Sequence, residues 1–118
     1  MIIDEVSFHD SEILSVHETT EKQQIDFVIL FPIDWEDNIF EKKILRFSDV
    51  TYYCIEEIPF SGTQTILEIN NLGIMERING TGANSLKIQK VKVELYTNAG
   101  KRTLEFSQCA LLNLSDQK

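Results

Sequence analysis

Apolar and polar residues alternate along most of this sequence, the period that puts every second side chain on one face of a β-strand. Residues 25–31 give the clearest case, with isoleucine or phenylalanine at every odd position. Polar turn residues separate such segments, and no long stretch has the spacing of an amphipathic helix. The sequence therefore predicts a mainly β protein: an antiparallel sandwich, roll or partly open barrel of about seven or eight strands, with at most one short helix.

The first half of the chain divides into three predicted strands. Residues 12–18 and 25–31 form a hairpin, and we expect Pro32 to end its second strand, because proline cannot donate a hydrogen bond to a ladder. A third strand is predicted over residues 43–56. Its apolar residues change from odd to even positions near Ser48–Asp49, so we expect a β-bulge there.

Residues 59–85 leave two alternatives open. Their β-branched runs favour strands, whereas the spacing of apolar residues before Gly73 also fits a short helix that ends at this glycine. We favour strands. Asn79–Gly80 predicts a tight turn, and residues 81–85 predict a loop. The alternation then predicts further strands over residues 86–95, 102–107 and 110–114.

The chain of 118 residues has the size of one domain, and we expect a single β domain over residues 1–118. Its formal net charge of -8 is uneven, since residues 1–76 contribute -12 and residues 77–118 contribute +4. A nucleic-acid binder needs a concentrated basic face, so we expect no nucleic-acid partner. A basic protein is electrostatically the easier partner to attract.

The expected location is the cytoplasm. No apolar run approaches the roughly 20 residues that span a membrane as a helix, and the acidic amino terminus lacks the pattern of a secretory signal. We therefore expect no membrane association. Cys54 and Cys109 have apolar neighbours and no spacing of a zinc site, which indicates reduced thiols that pack as small hydrophobic groups.

The segment FHDSE places a histidine, an acid and a hydroxyl side by side, but it does not predict a catalytic site. Consecutive residues of an extended chain point to alternating faces, so they cannot orient one another as a Ser-His-acid triad does. We expect Asp10 or Ser11 to bond nearby backbone N–H groups and to set up the first strand. The residues assigned to this structural motif are His9, Asp10, Ser11 and Glu12.

The sequence also gives no metal site. His9 and His17 are the two histidines, and eight residues of strand would separate them by roughly 26 Å, too far to share one ion. Glycine-rich phosphate loops, nucleophile elbows and diagnostic acid pairs are absent. We expect no catalytic residues and no cofactor.

An acidic surface around the single tryptophan is the candidate site for a protein partner. Tryptophan is enriched among residues that dominate interfaces, and acids around it would attract a basic partner. The alternative is that the indole folds back over the core as a lid. The residues assigned to this surface are Asp34, Trp35, Glu36, Asp37, Glu56 and Glu57.

The basic residues of the second half form a cluster with two interpretations. Lysines on outward positions of strands protect a sheet edge against unwanted pairing, and they could also pair with the acidic half of the same chain. The cluster consists of Lys87, Lys90, Lys92, Lys101 and Arg102.

Two short motifs carry a family resemblance. The chain opens with FHDSEILS at residues 8–15 and continues with LRFSDV at residues 45–50. In this layout it resembles the immunity-protein families of bacterial polymorphic toxin systems and related uncharacterised small β-domains. The resemblance implies a small, β-rich cytoplasmic protein that binds and neutralises a toxin domain, and it brings no catalytic residues with it.

The resulting hypothesis is a non-enzymatic protein-binding module, an immunity protein that neutralises a basic toxin domain through its acidic surface. The alternative is a small-molecule binding or hydrolytic β-domain that uses His9 and Asp10 in a pocket at one end of the sheet. The identity of the partner, the toxin's activity, the oligomeric state and the strand order stay open at this point.

Overall fold

The computed structural model describes residues 1–80, 82 and 86–114. In this part of the chain one short helix, α1 (Ile2–Glu5), precedes eight strands, and a 3-10 turn at Thr20–Lys22 joins the first two. The predicted fold class, mainly β and antiparallel, is confirmed. The strands are β1 (Glu12–Thr19), β2 (Gln24–Asp34), β3 (Ile39–Ser48), β4 (Tyr52–Glu57), β5 (Gln64–Asn79), β6 (Leu86–Thr97), β7 (Gly100–Phe106) and β8 (Gln108–Asn113).

The eight strands form one open antiparallel sheet in the order β4-β7-β6-β5-β1-β2-β3-β8. Strand β5 joins the two halves, because it pairs with β6 along most of its length and with β1 only at Gln64 and Thr65. The halves pack against each other. The ring of Phe47 on β3 lies 4.8 Å from that of Phe106 on β7, and Phe27 on β2 contacts Tyr53 on β4.

The core between the halves is built from the alternating residues that the sequence indicated. On β2 the odd positions from 25 to 29 are at most 2% exposed, whereas the even positions between them are half-buried. Complete burial of such aromatic and aliphatic side chains contributes about 1.5–3 kcal/mol each. The hydrophobic residues that are 0% exposed are Phe27, Ile29, Leu45, Phe47, Ile66, Val93, Leu95, Leu104 and Phe106. No helix in the described ranges is long and apolar enough to cross a membrane.

Two predicted strand boundaries are wrong, each for an identifiable reason. Pro32 does not end β2 but pairs with Phe40 inside the ladder. The pairing of β1 with β2 begins only at Leu30, so the missing N–H of Pro32 faces an edge without a neighbour. The third strand, predicted to continue through a bulge, instead breaks at Asp49, whose φ of 56° turns the chain. Strands β3 and β4 then lie in different halves of the sheet.

The region with two alternatives, residues 59–85, contains strand β5 (Gln64–Asn79), and its described residues include no α-helix. Strand β5 has register shifts around Leu67 and Leu72, and Gly73 has a φ of 92°. Over residues 86–90, before Val91, strand β6 pairs with β5 but not with β7. The register irregularities of the β5–β6 pair both lie in β5. The predicted loop at 81–85, apart from Gly82, lies outside the described residues.

Candidate functional site

Trp35 lies at the tip of the β2–β3 hairpin, in the turn that joins the two strands. Its carbonyl oxygen accepts the N–H of Asn38 at 3.4 Å, and Asp34 Oδ1 accepts the N–H of Asp37 at 3.2 Å. Asn38 has a φ of 56°, a left-handed conformation that asparagine adopts more readily than most residues. Local bonds therefore close the turn, and the turn positions the indole without help from the core.

Trp35 is 56% exposed, so the indole is part of the surface and does not cover the core. Ile33 and Ile39, on either side of the turn, are 50% and 45% exposed. The alternation gave no signal for Ile33, because it continues the odd positions that face the core. A register shift between Pro32 and Asp34 removes it from that pattern. The exposed residues at the end of this hairpin form what we call the hairpin-tip surface. They are Ile33, Asp34, Trp35, Glu36, Asp37 and Ile39.

The hairpin-tip surface keeps its negative charge. Glu36 and Asp37 are exposed, and no cation among the described residues lies within ion-pair distance of either carboxylate. Several basic side chains are instead bound to acids elsewhere. These pairs are Lys43–Glu41, Arg46–Asp26, Lys87–Glu76, Lys90–Asp49, Lys101–Glu94 and Arg102–Glu57.

Four of the five residues in the basic cluster of the second half pair with acids in the described part of the same chain, and three of these acids, Asp49, Glu57 and Glu76, lie in the acidic half. Edge protection does not account for Lys92, Lys101 or Arg102, which lie where β6 and β7 pair with each other, whereas residues 86–90 of β6 have no β7 neighbour. Lys90 is 7% exposed and donates to the carboxylate of Asp49, and to Ser107 Oγ at 3.0 Å. The hydrogen bonds from Lys90 and Ser107 lower the pKa of Asp49 below its usual value.

Glu57, assigned from the sequence to the partner surface, is occupied inside the protein. Its two carboxylate oxygens accept Arg102 Nε at 2.8 Å and Nη2 at 3.1 Å, and both side chains are 11% exposed. Arg102 also donates to Tyr53 Oη at 2.8 Å and to Gln64 Oε1 at 3.2 Å. Its guanidinium carbon lies 5.8 Å from the ring centre of Phe27. We call these groups the Arg102 network.

The Arg102 network holds a charge at the border of the core. Burial disfavours the charge on Arg102, but the hydrogen bonds that Arg102 donates to Glu57 and Tyr53 outweigh this effect and raise the pKa of the guanidinium. Glu56, the next residue, is exposed and pairs in register with Lys101. The pairing of Glu57 with Arg102 therefore removes one of the six residues assigned to the predicted acidic surface.

The FHDSE segment is a turn tied to β5 by backbone bonds. Ser11 N–H donates to the carbonyl of Phe8 at 3.0 Å, and Asp10 has a φ of 68°. Asp10 N–H donates to the carbonyl oxygen of Ile66, and Ile66 N–H donates to the carbonyl oxygen of Ser11. The side chains of Asp10 and Ser11 do not make the backbone bonds expected of them. Ser11 Oγ is buried with no partner in the described part of the chain.

Glu12 and His9 complete the anchoring of this turn. Glu12 begins β1 and pairs with Leu30 on one side and Thr65 on the other. His9 Nδ1 lies 2.8 Å from the carbonyl oxygen of Leu67, so Nδ1 carries the proton, since a carbonyl only accepts. The side chain is 58% exposed. These contacts position the start of the first strand.

The cavity beside His9 is small. It measures about 160 Å³, below the roughly 300 Å³ at which ligand pockets usually begin. His9 Nε2 lies 3.5 Å from Asp10 Oδ1, and both side chains face solvent. Across the residues the structure describes, no group of three or more His, Cys, Asp or Glu side chains could hold a metal ion.

Comparison with known proteins finds no match. No family model, curated protein or solved structure matches this chain. The chemistry of the candidate site therefore comes from its own geometry. The hairpin-tip surface combines an exposed indole, two exposed isoleucines and uncompensated carboxylates, which together can bury apolar area and attract a positive partner.

Proposed function

We propose that this chain is a non-enzymatic protein-binding module, an immunity protein that binds and neutralises a basic toxin domain in the cytoplasm. The contact surface is the hairpin-tip surface. The observation that carries the proposal is the exposure of Trp35, 56%, on a closed turn whose neighbouring carboxylates Glu36 and Asp37 have no cation beside them.

The exposed indole of Trp35 and its apolar neighbours favour a protein partner. Large apolar side chains grouped on a monomer's surface mark interaction sites more often than single scattered ones. Trp35, Ile33 and Ile39 form such a group at one end of the hairpin. A tryptophan brings a large contact area at little conformational entropy, because two torsion angles define it. The closed turn fixes the backbone in advance, which reduces the entropy lost on binding.

The negative charge of the hairpin-tip surface favours a basic partner. The acids of the hairpin tip keep their charge while basic side chains elsewhere are bound within the protein, so the potential around the tip is negative. Such a surface steers a positive partner and raises the association rate at low salt. The resemblance of residues 8–15 to immunity-protein families supports a toxin domain as that partner. Glu56 and Glu57 are outside the proposed contact.

The test is affinity capture with matched variants. Tagged wild-type protein, Trp35→Ala and the double variant Glu36→Gln/Asp37→Asn are incubated with lysate of the source cells, and retained proteins are quantified by mass spectrometry. Ile55→Ala is the control for Trp35, since Ile55 is 51% exposed on β4. Glu21→Gln is the control for the acids, since Glu21 is exposed on the turn before β2.

The expected result is one stoichiometric partner that the wild type and both controls retain. Trp35→Ala should weaken its affinity about 30-fold or more, as truncation of a dominant interface residue does. The acid variant should lose most of the salt dependence of association. Expression of the partner alone should stop growth, and co-expression of this protein should restore it. If Trp35→Ala bound the partner as tightly as the wild type does, the hairpin-tip surface would be excluded as the contact site. If expression of the partner alone left growth unchanged, the immunity function would be excluded.

A further inference from the structure

A cleft lies at the other end of β2, where the β1–β2 turn meets the crossover from β3 to β4. It has a volume of about 330 Å³, within the lower range of ligand-binding cavities. Ile25 and Val50, which are 2% and 9% exposed, form its apolar floor. The remaining lining residues are Glu18, Thr20, Gln23, Thr51, Tyr52 and Tyr53.

The walls of this cleft are held in place by bonds between segments distant in sequence. The carbonyl of Gln23, a residue with a φ of 49°, accepts the N–H of Val50 at 2.7 Å. Thr51 N–H donates to the carbonyl of Glu105 on β7 at 2.9 Å. The ring of Tyr53 packs edge-on against Phe27, with 6.3 Å between ring centres. The cleft is therefore formed before any ligand arrives.

Glu18 is the one charged side chain among the lining residues. Within the described residues no cation lies at ion-pair distance from it, and Arg102, which donates to Tyr53 Oη, is bound to Glu57. Burial raises the pKa of Tyr53, the positive charge and hydrogen bond of Arg102 lower it, and the negative charges of Glu57 and Glu18 raise it. A carboxylate, two tyrosines and uncharged polar groups thus surround an apolar floor, and this composition favours a cation.

We propose that this cleft binds a guanidinium group, presented by an arginine side chain of another protein. A planar guanidinium forms paired hydrogen bonds with a carboxylate and stacks on aromatic rings, which an ammonium group does less well. The volume fits one side chain and is too small for a folded segment. The cleft and Trp35 are separated by ten residues of β2, roughly 30 Å. This inference is therefore independent of the hairpin-tip surface.

The test uses small probes and the intact protein. N-acetyl-arginine amide is titrated into isotopically labelled protein, and amide shifts are followed by NMR. N-acetyl-citrulline amide, of nearly equal shape but uncharged, is the control probe, and free arginine distinguishes a metabolite from a side chain within a protein. The variants are Glu18→Gln and Tyr52→Leu, with Glu21→Gln as the matched control. Glu21 lies on the adjacent turn but does not line the cleft.

We expect saturable shifts at the lining residues with capped arginine and none with capped citrulline. Glu18→Gln should weaken binding about fivefold or more, whereas Glu21→Gln should leave it unchanged. Tyr52→Leu should also weaken binding, by loss of the aromatic face. Equal weakening by both acid variants, or equal binding of citrulline, would overturn the proposal. Binding of free arginine without binding of N-acetyl-arginine amide would show that the guanidinium comes from a metabolite and not from another protein. None of these outcomes depends on Trp35.

Discussion

Removing the charge of Glu57 should destabilise the fold, although the sequence suggested a surface role for this residue. In Glu57→Gln the amide keeps one acceptor for Arg102, but the guanidinium, 11% exposed, loses its counter-ion. Breaking a buried pair from one side costs about 3–5 kcal/mol. Tyr53 and Gln64 still accept hydrogen bonds from Arg102, so we expect a smaller loss than this range, about 2–3 kcal/mol.

Urea unfolding followed by fluorescence measures this loss, with the slope of the transition expected to stay the same because the buried area changes little. Glu56→Gln is the matched control, since this neighbouring acid is exposed and its loss should cost no more than about 0.5 kcal/mol. The double variant Glu57→Gln/Arg102→Met should be less destabilised than the sum of the single variants, because it removes the unpaired charge. Equal losses in Glu57→Gln and Glu56→Gln would refute the reasoning.

Three further predictions test other contacts. Asp49→Asn should cost about 1–3 kcal/mol by urea unfolding, since the Lys90 ammonium loses its counter-ion. The hydrogen bond from Lys90 lowers the pKa of Asp49 in the folded state. The stabilisation from ionised Asp49 is therefore present above about pH 4 and is lost as pH falls through the lowered pKa. In Asp49→Asn the free energy of unfolding should vary less with pH in this acid range. Gly100→Ala should destabilise more than Gly62→Ala, because φ is positive at both but only at Gly100 would a Cβ meet the β4 backbone; equal losses would contradict this. Burial raises the pKa of the Cys109 thiol to about 12, so iodoacetamide at mildly alkaline pH should label it only in denaturant, and rapid native labelling by mass spectrometry would disagree.

The Trp35 loop illustrates how far sequence reasoning reaches for the candidate site. The residue types at positions 34 to 37 predicted a partner surface, but their exposure was open between two alternatives. Exposure depends on whether the turn folds back over the sheet, and the bonds within the turn decide that. The loss of Glu57 from the surface had no local signal, because Arg102 is 45 residues away in sequence.

The Asp49 region illustrates the same limit for the fold. The parity change at Ser48–Asp49 was located correctly, yet a bulge and a break produce the same change of apolar positions. The left-handed φ of Asp49 and the distant pairing of β4 with β7 distinguish them. The prediction that Pro32 ends its strand was wrong for a related reason. Proline is tolerated there because β1 stops pairing with β2 at Leu30, and the local sequence does not show where that pairing stops.

The sequence by itself determined the class of the fold, because alternation with period two is a local property of each strand and requires a partner sheet to bury it. It also placed Trp35 between the second and third predicted strands. Only the tertiary structure decided the strand order, the two halves around one core, the role of Glu57 and the cleft at Glu18. These features join residues that are far apart in the chain. Their free energy comes from contacts that exist only after the two halves have met.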